Sequence, residues 1–277
     1  MVVEPLAAGP LGSYEESFEK AISDRLADPR TGCLRWPERC WLLSSQGEVV
    51  QGRCASPNLC SYCSVQSAWV NAEMLKLDAI EGVAPTVLAI LGTSTATLDT
   101  RRFYQALYEV RRSLRREWPE LQAACLREFT TGYGPRSGGL RRPHWNLVLK
   151  GLPATDWAAA EAIAVPVWCR MVAARPSAQY VAAIEAVGGL LNYVTQHFLK
   201  ESQAPPEGWR GHRFTTTRGY LWLPTPAARK AARDAVQHRR DVWRATTQLG
   251  LGAHDAELFA RERAALRETT TWRLRWA

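Results

Sequence analysis

The order of strand-like and helix-like segments between residues 85 and 201 restricts the fold of this chain more than any other feature. Four short segments are rich in aliphatic and β-branched residues or alternate in polarity, which is typical of strands: 86–95, 121–133, 144–150 and 180–187. Three other segments have apolar residues at helical spacing: 101–118, 155–174 and 190–201. The order β-α-β-β-α-β-α predicts an α+β domain with a ferredoxin-like antiparallel sheet covered by helices.

Capping residues support two of these helix boundaries. Asp99 or Thr100 can accept hydrogen bonds from the first turn of the helix that follows, and Pro119 lies where that helix should end. Thr155 is the predicted N-cap of the next helix.

The cysteines are concentrated near the start of the chain, where five of the seven lie within residues 33–63. The segment 40–54 predicts a short hairpin, and Cys60-Ser-Tyr-Cys63 has the spacing of a zinc knuckle. A module this small needs a tetrahedral Zn²⁺ to hold it together. We predict that the zinc ligands are Cys40, Cys54, Cys60 and Cys63, with Cys33 as the substitute for Cys40. A redox-active pair and inert buried thiols are the alternatives.

The charge balance favours a polyanionic partner. Basic residues number 35 against 27 acidic ones, which gives a net charge of +8 and a pI near 9.3. Such an excess is typical of proteins that bind nucleic acid, although 30 arginines against 5 lysines can also reflect a GC-rich genome.

The sequence offers no feature that would direct the chain to a membrane. No basic residue precedes Lys20, so the charged start of a signal peptide is missing. No segment approaches about 20 uninterrupted apolar residues. We therefore expect a cytoplasmic protein without a membrane partner, whose thiols stay reduced.

Polar side chains recur at three positions of the predicted sheet domain. His144 and Asn146 are two residues apart on a strand and therefore project from the same face. Glu128 lies on the neighbouring strand and can present a carboxylate beside them. Tyr193 follows Gly188-Gly189 on a short helix, and one turn or two further on its face are Gln196, His197 and Lys200. Each position taken alone is more typical of packing than of function.

The motifs in this order resemble those of HUH endonucleases, the replication initiators of rolling-circle plasmids and single-stranded DNA phages. The resemblance covers roughly residues 30–223 and rests on the cysteine module, LAILGTST, LREFTTG, RRPHWNLVLKG, NYVTQHFLKESQ and GHRFTTTRGYLW. It implies nicking of one origin strand by a tyrosine, a 5′-phosphotyrosyl link and a free 3′-OH that primes synthesis.

The resemblance also implies roles for individual residues. Tyr193 corresponds to the nucleophile, and Glu128, His144 and Asn146 correspond to the ligands of a catalytic Mg²⁺ or Mn²⁺. The chain departs from the family where Asn146 replaces a histidine and Gln196 replaces a lysine. We expect Lys200 to supply the missing cation, and a single tyrosine at this position to allow nicking and joining.

Arginines near these motifs are the predicted DNA contacts. They are Arg141, Arg142, Arg213 and Arg218. We expect Trp145 or Trp209 to stack on a base. A solvated loop surface is the alternative interpretation of the arginines, and either DNA binding or a solvated face would suit the basic helix after Pro224.

The prediction is thus a metal-dependent HUH endonuclease and strand transferase in three parts. They are a zinc-binding module with a helix (1–82), the endonuclease domain (83–223) and a basic helical tail (224–277). Because no GxxxxGK[ST] phosphate loop is present, host helicase and polymerase are expected partners beside single-stranded origin DNA. The alternative is a zinc-containing DNA-binding protein, regulatory or degenerate, that does not nick.

Overall fold

The computed structural model describes residues 40–44, 49–51, 61–94, 99–131, 141–199, 213–269 and 272–276. Its strands are β1 (Cys40–Ser44), β2 (Val49–Gln51), β3 (Val87–Gly92), β4 (Gln122–Thr131), β5 (Arg141–Lys150), β6 (Tyr180–Ala183), β7 (Phe214–Thr216) and β8 (Trp272–Trp276). Its helices are α1 (Ser61–Glu81), α2 (Thr100–Glu117), α3 (Trp157–Val172), α4 (Val187–Leu199), α5 (Thr225–Thr247) and α6 (Ala253–Thr269). None of these helices is long and apolar enough to cross a lipid bilayer.

Five strands form one antiparallel sheet in the order β6-β3-β5-β4-β7. Helix α2 connects β3 to β4, and α3 connects β5 to β6. Strands β3 to β6 with these two helices therefore follow the βαββαβ order of the split βαβ motif. The predicted α+β class with an antiparallel sheet is confirmed. Strand β7 was not predicted, because its three residues, Phe-Thr-Thr, are too few to show a period.

Alternation along β5 gives the sheet two different faces. Trp145, Leu147 and Leu149 are buried in the apolar core that α2 and α3 complete. The residues between them lie on the opposite face: His144, Asn146, Val148 and Lys150. Burying one large apolar side chain contributes roughly 1.5–3 kcal/mol, and a slip of one residue would move every such side chain to the wrong face. The core therefore sets which residues of β5 face the site described below.

Two helix starts test the capping predictions. Asp99 is the N-cap of α2, and its Oδ1 accepts a hydrogen bond from the Arg101 N–H at 3.1 Å, as predicted. The prediction for Thr155 was wrong, because α3 begins at Trp157 after a short turn and Asp156 holds the N-cap position. Asp156 instead uses Oδ2 to accept a hydrogen bond from the Trp118 indole at 3.2 Å.

The chain divides into two compact units. Described residues from 75 to 224 form one, which contains the five-stranded sheet, and those of 40–74 and 225–276 form the other. In the second unit β1 and β2 form the predicted hairpin. The predicted basic helical tail (224–277) contains α5 and α6, but the prediction was wrong for residues 272–276, since β8 pairs with β1 along its whole length. The alternation Trp-Arg-Leu-Arg-Trp is the strand signal that the basic helical composition obscured.

Candidate active site

Strands β4 and β5 place an acidic and an imidazole side chain directly opposite each other. Glu128 pairs with His144 in the register of the two strands. The Nε2 atom of His144 lies 2.8 Å from Oε2 of Glu128, and both side chains are buried. Because the contact lies away from water, the two groups interact more strongly than a surface pair would.

Helix α4 brings a tyrosine to the same face of the sheet. Leu190, Leu191 and Val194 are buried and anchor the helix, which leaves Tyr193 partly exposed. The Tyr193 hydroxyl donates a hydrogen bond to Oδ1 of Asn146 at 3.0 Å. Tyr193 is thereby connected to the strand that also carries His144.

The environment of Tyr193 keeps its hydroxyl protonated. Burial raises the pKa of Tyr193 well above its ordinary value near 10, and the negative charge of Glu128 and the neighbouring Tyr180 raise it further. A neutral phenol is a weak nucleophile. A nearby positive charge would lower this pKa, and a general base beside the hydroxyl is the other way to activate it for attack.

Each of the two β5 residues in the cluster has one buried polar atom with no hydrogen-bond partner among the described residues. These atoms are Nδ1 of His144 and Nδ2 of Asn146. Leaving a buried donor or acceptor unsatisfied costs about 1–3 kcal/mol. Such atoms are therefore places where a bound ligand would stabilise the protein.

The donor set of this cluster suits a divalent cation that prefers oxygen. A carboxylate from Glu128, an imidazole from His144 and the amide oxygen of Asn146 come from two adjacent strands on one face. Mg²⁺ and Mn²⁺ accept such mixed ligands. Within the part of the chain that the structure describes, no three His, Cys, Asp or Glu side chains gather into a metal-binding group. Among the described residues, the amide oxygen of Asn146 is the third ligand that this cluster offers to an ion.

The predicted DNA-contacting arginines lie at different depths. Arg213 is partly buried, and burial lowers its pKa to about 10 although the charge of Glu128 opposes this. Arg142 precedes His144 by two residues on β5 and is partly exposed, whereas Arg218 is exposed after β7. Arg141 opens β5, but its side chain is not described. Arg142 and Arg213 are thus the two that have an observed relation to the cluster.

The structure brings together four of the five residues predicted for the catalytic centre, namely Glu128, His144, Asn146 and Tyr193. Other predicted residues lie outside the described residues: Cys33, Cys54, Cys60, Lys200 and Trp209. Cys40 lies in β1 and Cys63 in the first turn of α1, and the side chains of these two, like those of Gln196 and His197, are not described. The zinc site and the role of Lys200 therefore remain predictions.

The prediction that Trp145 stacks on a base was wrong. Trp145 is fully buried on the helix-covered face of the sheet. Its ring stacks on Phe103 at a centroid distance of 5.1 Å and meets Tyr104 edge to face at 5.2 Å. Trp145 thus packs the core directly behind His144 and Asn146, where nucleic acid cannot reach it.

Sequence reasoning missed a second polar cluster on the same face of β5. Lys150 forms a buried salt bridge with Asp78 of α1, and its Nζ donates to the carbonyl of Tyr220 at 3.1 Å. The ammonium also lies 4.3 Å from the centre of the Tyr220 ring. A lysine that directly follows the apolar stretch 147–149 of β5 was the signal that could have revealed this pair.

The chain matches no protein-family model, no curated protein sequence and no solved structure.

Proposed function

We propose that this protein is an HUH-type, metal-dependent DNA endonuclease that nicks single-stranded origin DNA and initiates rolling-circle replication. One observation carries the proposal: the hydroxyl of Tyr193 lies on Asn146, in the same buried cluster as the His144–Glu128 pair. A tyrosine, an imidazole and a carboxylate separated in sequence meet on one sheet face, in the order that the family resemblance implies. The Mg²⁺ or Mn²⁺, the Zn²⁺ and the host replication partners belong to the same proposal.

In the proposed reaction Tyr193 attacks a phosphodiester of the DNA strand. The phenolic oxygen forms a bond to phosphorus while the bond from phosphorus to the 3′ oxygen breaks. The phenolic proton passes to water, and the leaving 3′ oxygen takes up a proton to become a 3′-OH. The 5′ phosphate remains linked to the tyrosine as a diester, so the energy of the bond is kept for rejoining and no nucleotide cofactor is needed.

The raised pKa of Tyr193 is a reason to include a cation in the proposed reaction, because a positive charge lowers the pKa of a phenol. Glu128, His144 and Asn146 are the residues that would hold Mg²⁺ or Mn²⁺. When bound, the ion would neutralise charge on the scissile phosphate and favour the phenolate. Arg213 lies close enough to Glu128 to feel its charge, and we assign it to the DNA phosphate backbone.

The test is a covalent adduct. Wild-type protein and Tyr193→Phe are incubated with a pool of single-stranded oligonucleotides of random sequence and with Mn²⁺. We expect wild type to give a protease-sensitive protein–DNA species, and Tyr193→Phe, which lacks the attacking oxygen, to give none. Identical products from the two proteins would refute the proposal. Because Tyr193→Phe removes only the hydroxyl, equal melting temperatures serve as the control for folding.

The second candidate is a DNA-binding protein that does not nick, and the burial of Tyr193 favours it. A phenol held protonated by its surroundings and hydrogen-bonded to Asn146 could be purely structural. In that case the same oligonucleotides would bind, the bound complex would contain no covalent adduct, and Tyr193→Phe would bind them equally well.

A further inference from the structure

Asn146 is the most constrained polar residue of the cluster. It lies in the middle of the sheet, where it pairs with Leu126 of β4 on one side and with Ile90 of β3 on the other. Its side chain is completely buried. Apolar residues are the usual occupants of such a position, so a carboxamide here needs a reason.

The two ends of this carboxamide differ. Oδ1 accepts the hydrogen bond from the Tyr193 hydroxyl at 3.0 Å. Nδ2 has no acceptor within the described ranges of the chain and is shielded from water. A residue retained only for structure would gain from satisfying both ends, because an unsatisfied donor costs about 1–3 kcal/mol. The oxygen of the amide therefore has a hydrogen-bond partner in Tyr193, whereas the nitrogen has none among the described residues.

We propose that Asn146 positions Tyr193 through Oδ1 and donates a hydrogen bond from Nδ2 to a non-bridging oxygen of the phosphate that Tyr193 attacks. This inference rests on the proposed function. The oxygen and nitrogen of an amide share one carbon atom, so a group bonded to the nitrogen lies beside the hydroxyl held by the oxygen. An amide is neither acid nor base at ordinary pH, so Asn146 only orients the hydroxyl and takes no proton from it.

The chemistry of phosphoryl transfer supplies the missing acceptor. Negative charge on the non-bridging oxygens must be stabilised in the transition state, and a donor fixed in a water-free site does this without reorganising. Tyr193 is partly exposed while Asn146 is not, so the phosphate approaches the amide from the side of the tyrosine. Since Oδ1 has two lone pairs, holding the hydroxyl leaves it able to bind an ion.

The experiment compares stereospecific thio effects in wild type, Asn146→Ala and Asn146→Asp. Oligonucleotides carry sulfur at one or the other non-bridging oxygen of the scissile phosphate, and adduct formation is timed in Mg²⁺ and in Mn²⁺. In wild type we expect one diastereomer to react at least about tenfold more slowly in both metals, because sulfur accepts a hydrogen bond poorly. A thio effect caused by metal contact would instead be relieved by Mn²⁺, which binds sulfur better.

Both variants should lose this discrimination. Removing a single donor to a developing oxyanion typically slows the reaction by about 10²–10³-fold. Asn146→Ala should be slower by that factor and should treat the two diastereomers alike. Asn146→Asp keeps an oxygen for the Tyr193 hydroxyl and lacks the N–H donor, so it should also lose the discrimination.

The controls separate this inference from the proposed function. If wild type forms no adduct, the proposed function fails. If wild type forms the adduct and Asn146→Ala keeps the same thio effect, the donor role of Asn146 is overturned alone. Asn71→Ala, which removes a buried carboxamide from α1, is the matched control and should leave rate and thio effect unchanged.

Discussion

Both halves of β5 carry buried polar side chains on one face of the sheet, but only in one half do all the polar groups have partners among the described residues. At one end Lys150 is closed off by its salt bridge to Asp78 and by the carbonyl of Tyr220. The second carboxylate oxygen of Asp78 accepts the backbone N–H of Trp222 at 3.0 Å. Two charges are buried there, and each has its partners.

At the other end His144 and Asn146 are buried as deeply, and each retains an atom without a partner in the described part of the chain. The two clusters are therefore buried to a similar extent, and they differ in whether their buried polar atoms have hydrogen-bond partners among the described residues. The satisfied buried pair holds the end of α1 around Asp78 and the segment after β7 to β5. An unsatisfied cluster carries a cost in stability that a bound ion or phosphate would offset.

The largest effect should follow from removing one partner of the buried Lys150–Asp78 salt bridge. Burial lowers the pKa of Lys150 and raises that of Asp78, so each charge depends on the other. Lys150→Met leaves an uncompensated buried carboxylate and should lower the free energy of unfolding of the sheet unit by about 3–5 kcal/mol at neutral pH. Urea unfolding followed by tryptophan fluorescence measures this loss. If the protein nicks DNA as proposed, nicking per folded molecule should be unchanged, since the substitution lies at the far end of β5.

The pH dependence and a double variant test the same explanation. In Lys150→Met the pKa of Asp78 is raised without a counter-charge, so the lost stability should return as pH falls through that pKa and the carboxyl becomes neutral. Asp78→Asn combined with Lys150→Met should recover much of the loss. If the free energy of unfolding stays equally low at acid pH or in the double variant, the unpaired buried carboxylate of Asp78 is not the cause of the loss.

A smaller effect is expected at the unsatisfied end on alkalinisation. The pKa of Tyr193 is raised in the folded protein, so the unfolded chain releases this proton first and stability falls as pH rises above about 10. At about pH 11 the hydroxyl should cost wild type about 1.4 kcal/mol relative to Tyr193→Phe. Unfolding curves of both proteins at several pH values give the difference, and curves that remain parallel through this range would show that the hydroxyl is not buried.

The site could be predicted from sequence because its signals are local. Because His144 and Asn146 are two residues apart on a strand, their side chains lie on the same face. The pairing of β4 with β5 then places Glu128 beside them. Helical spacing from Leu190 onward was enough to predict a helix that carries Tyr193, although not the contact between its hydroxyl and Asn146. The predicted break at Gly188-Gly189 was wrong, because α4 begins at Val187 and includes both glycines.

What could not be predicted depends on residues far apart in the chain. Lys150 and Asp78 are separated by 72 positions, and neither has a local pattern that points to the other. The pairing of β8 with β1 joins opposite ends of the described chain, and β7 gains strand structure only because the edge of β4 is available to it. Sequence periodicity predicts which face of an element a residue occupies, but it does not predict which distant residue contacts it there.

The smallest effect concerns DNA binding at the rim of the unsatisfied end. Arg142 precedes His144 by two residues on the same face of β5, whereas Arg170 is exposed on α3, which covers the other face. If single-stranded DNA enters beside His144, Arg142→Gln should weaken binding a few-fold and reduce the slope of log K against log salt by about 0.7, the value for one phosphate contact. Arg170→Gln should change neither quantity. Fluorescence anisotropy of a labelled oligonucleotide over a salt series measures both. Equal effects of the two substitutions would mean that charge attracts DNA without regard to face, and the difference between the two ends of β5 would then concern catalysis and stability alone.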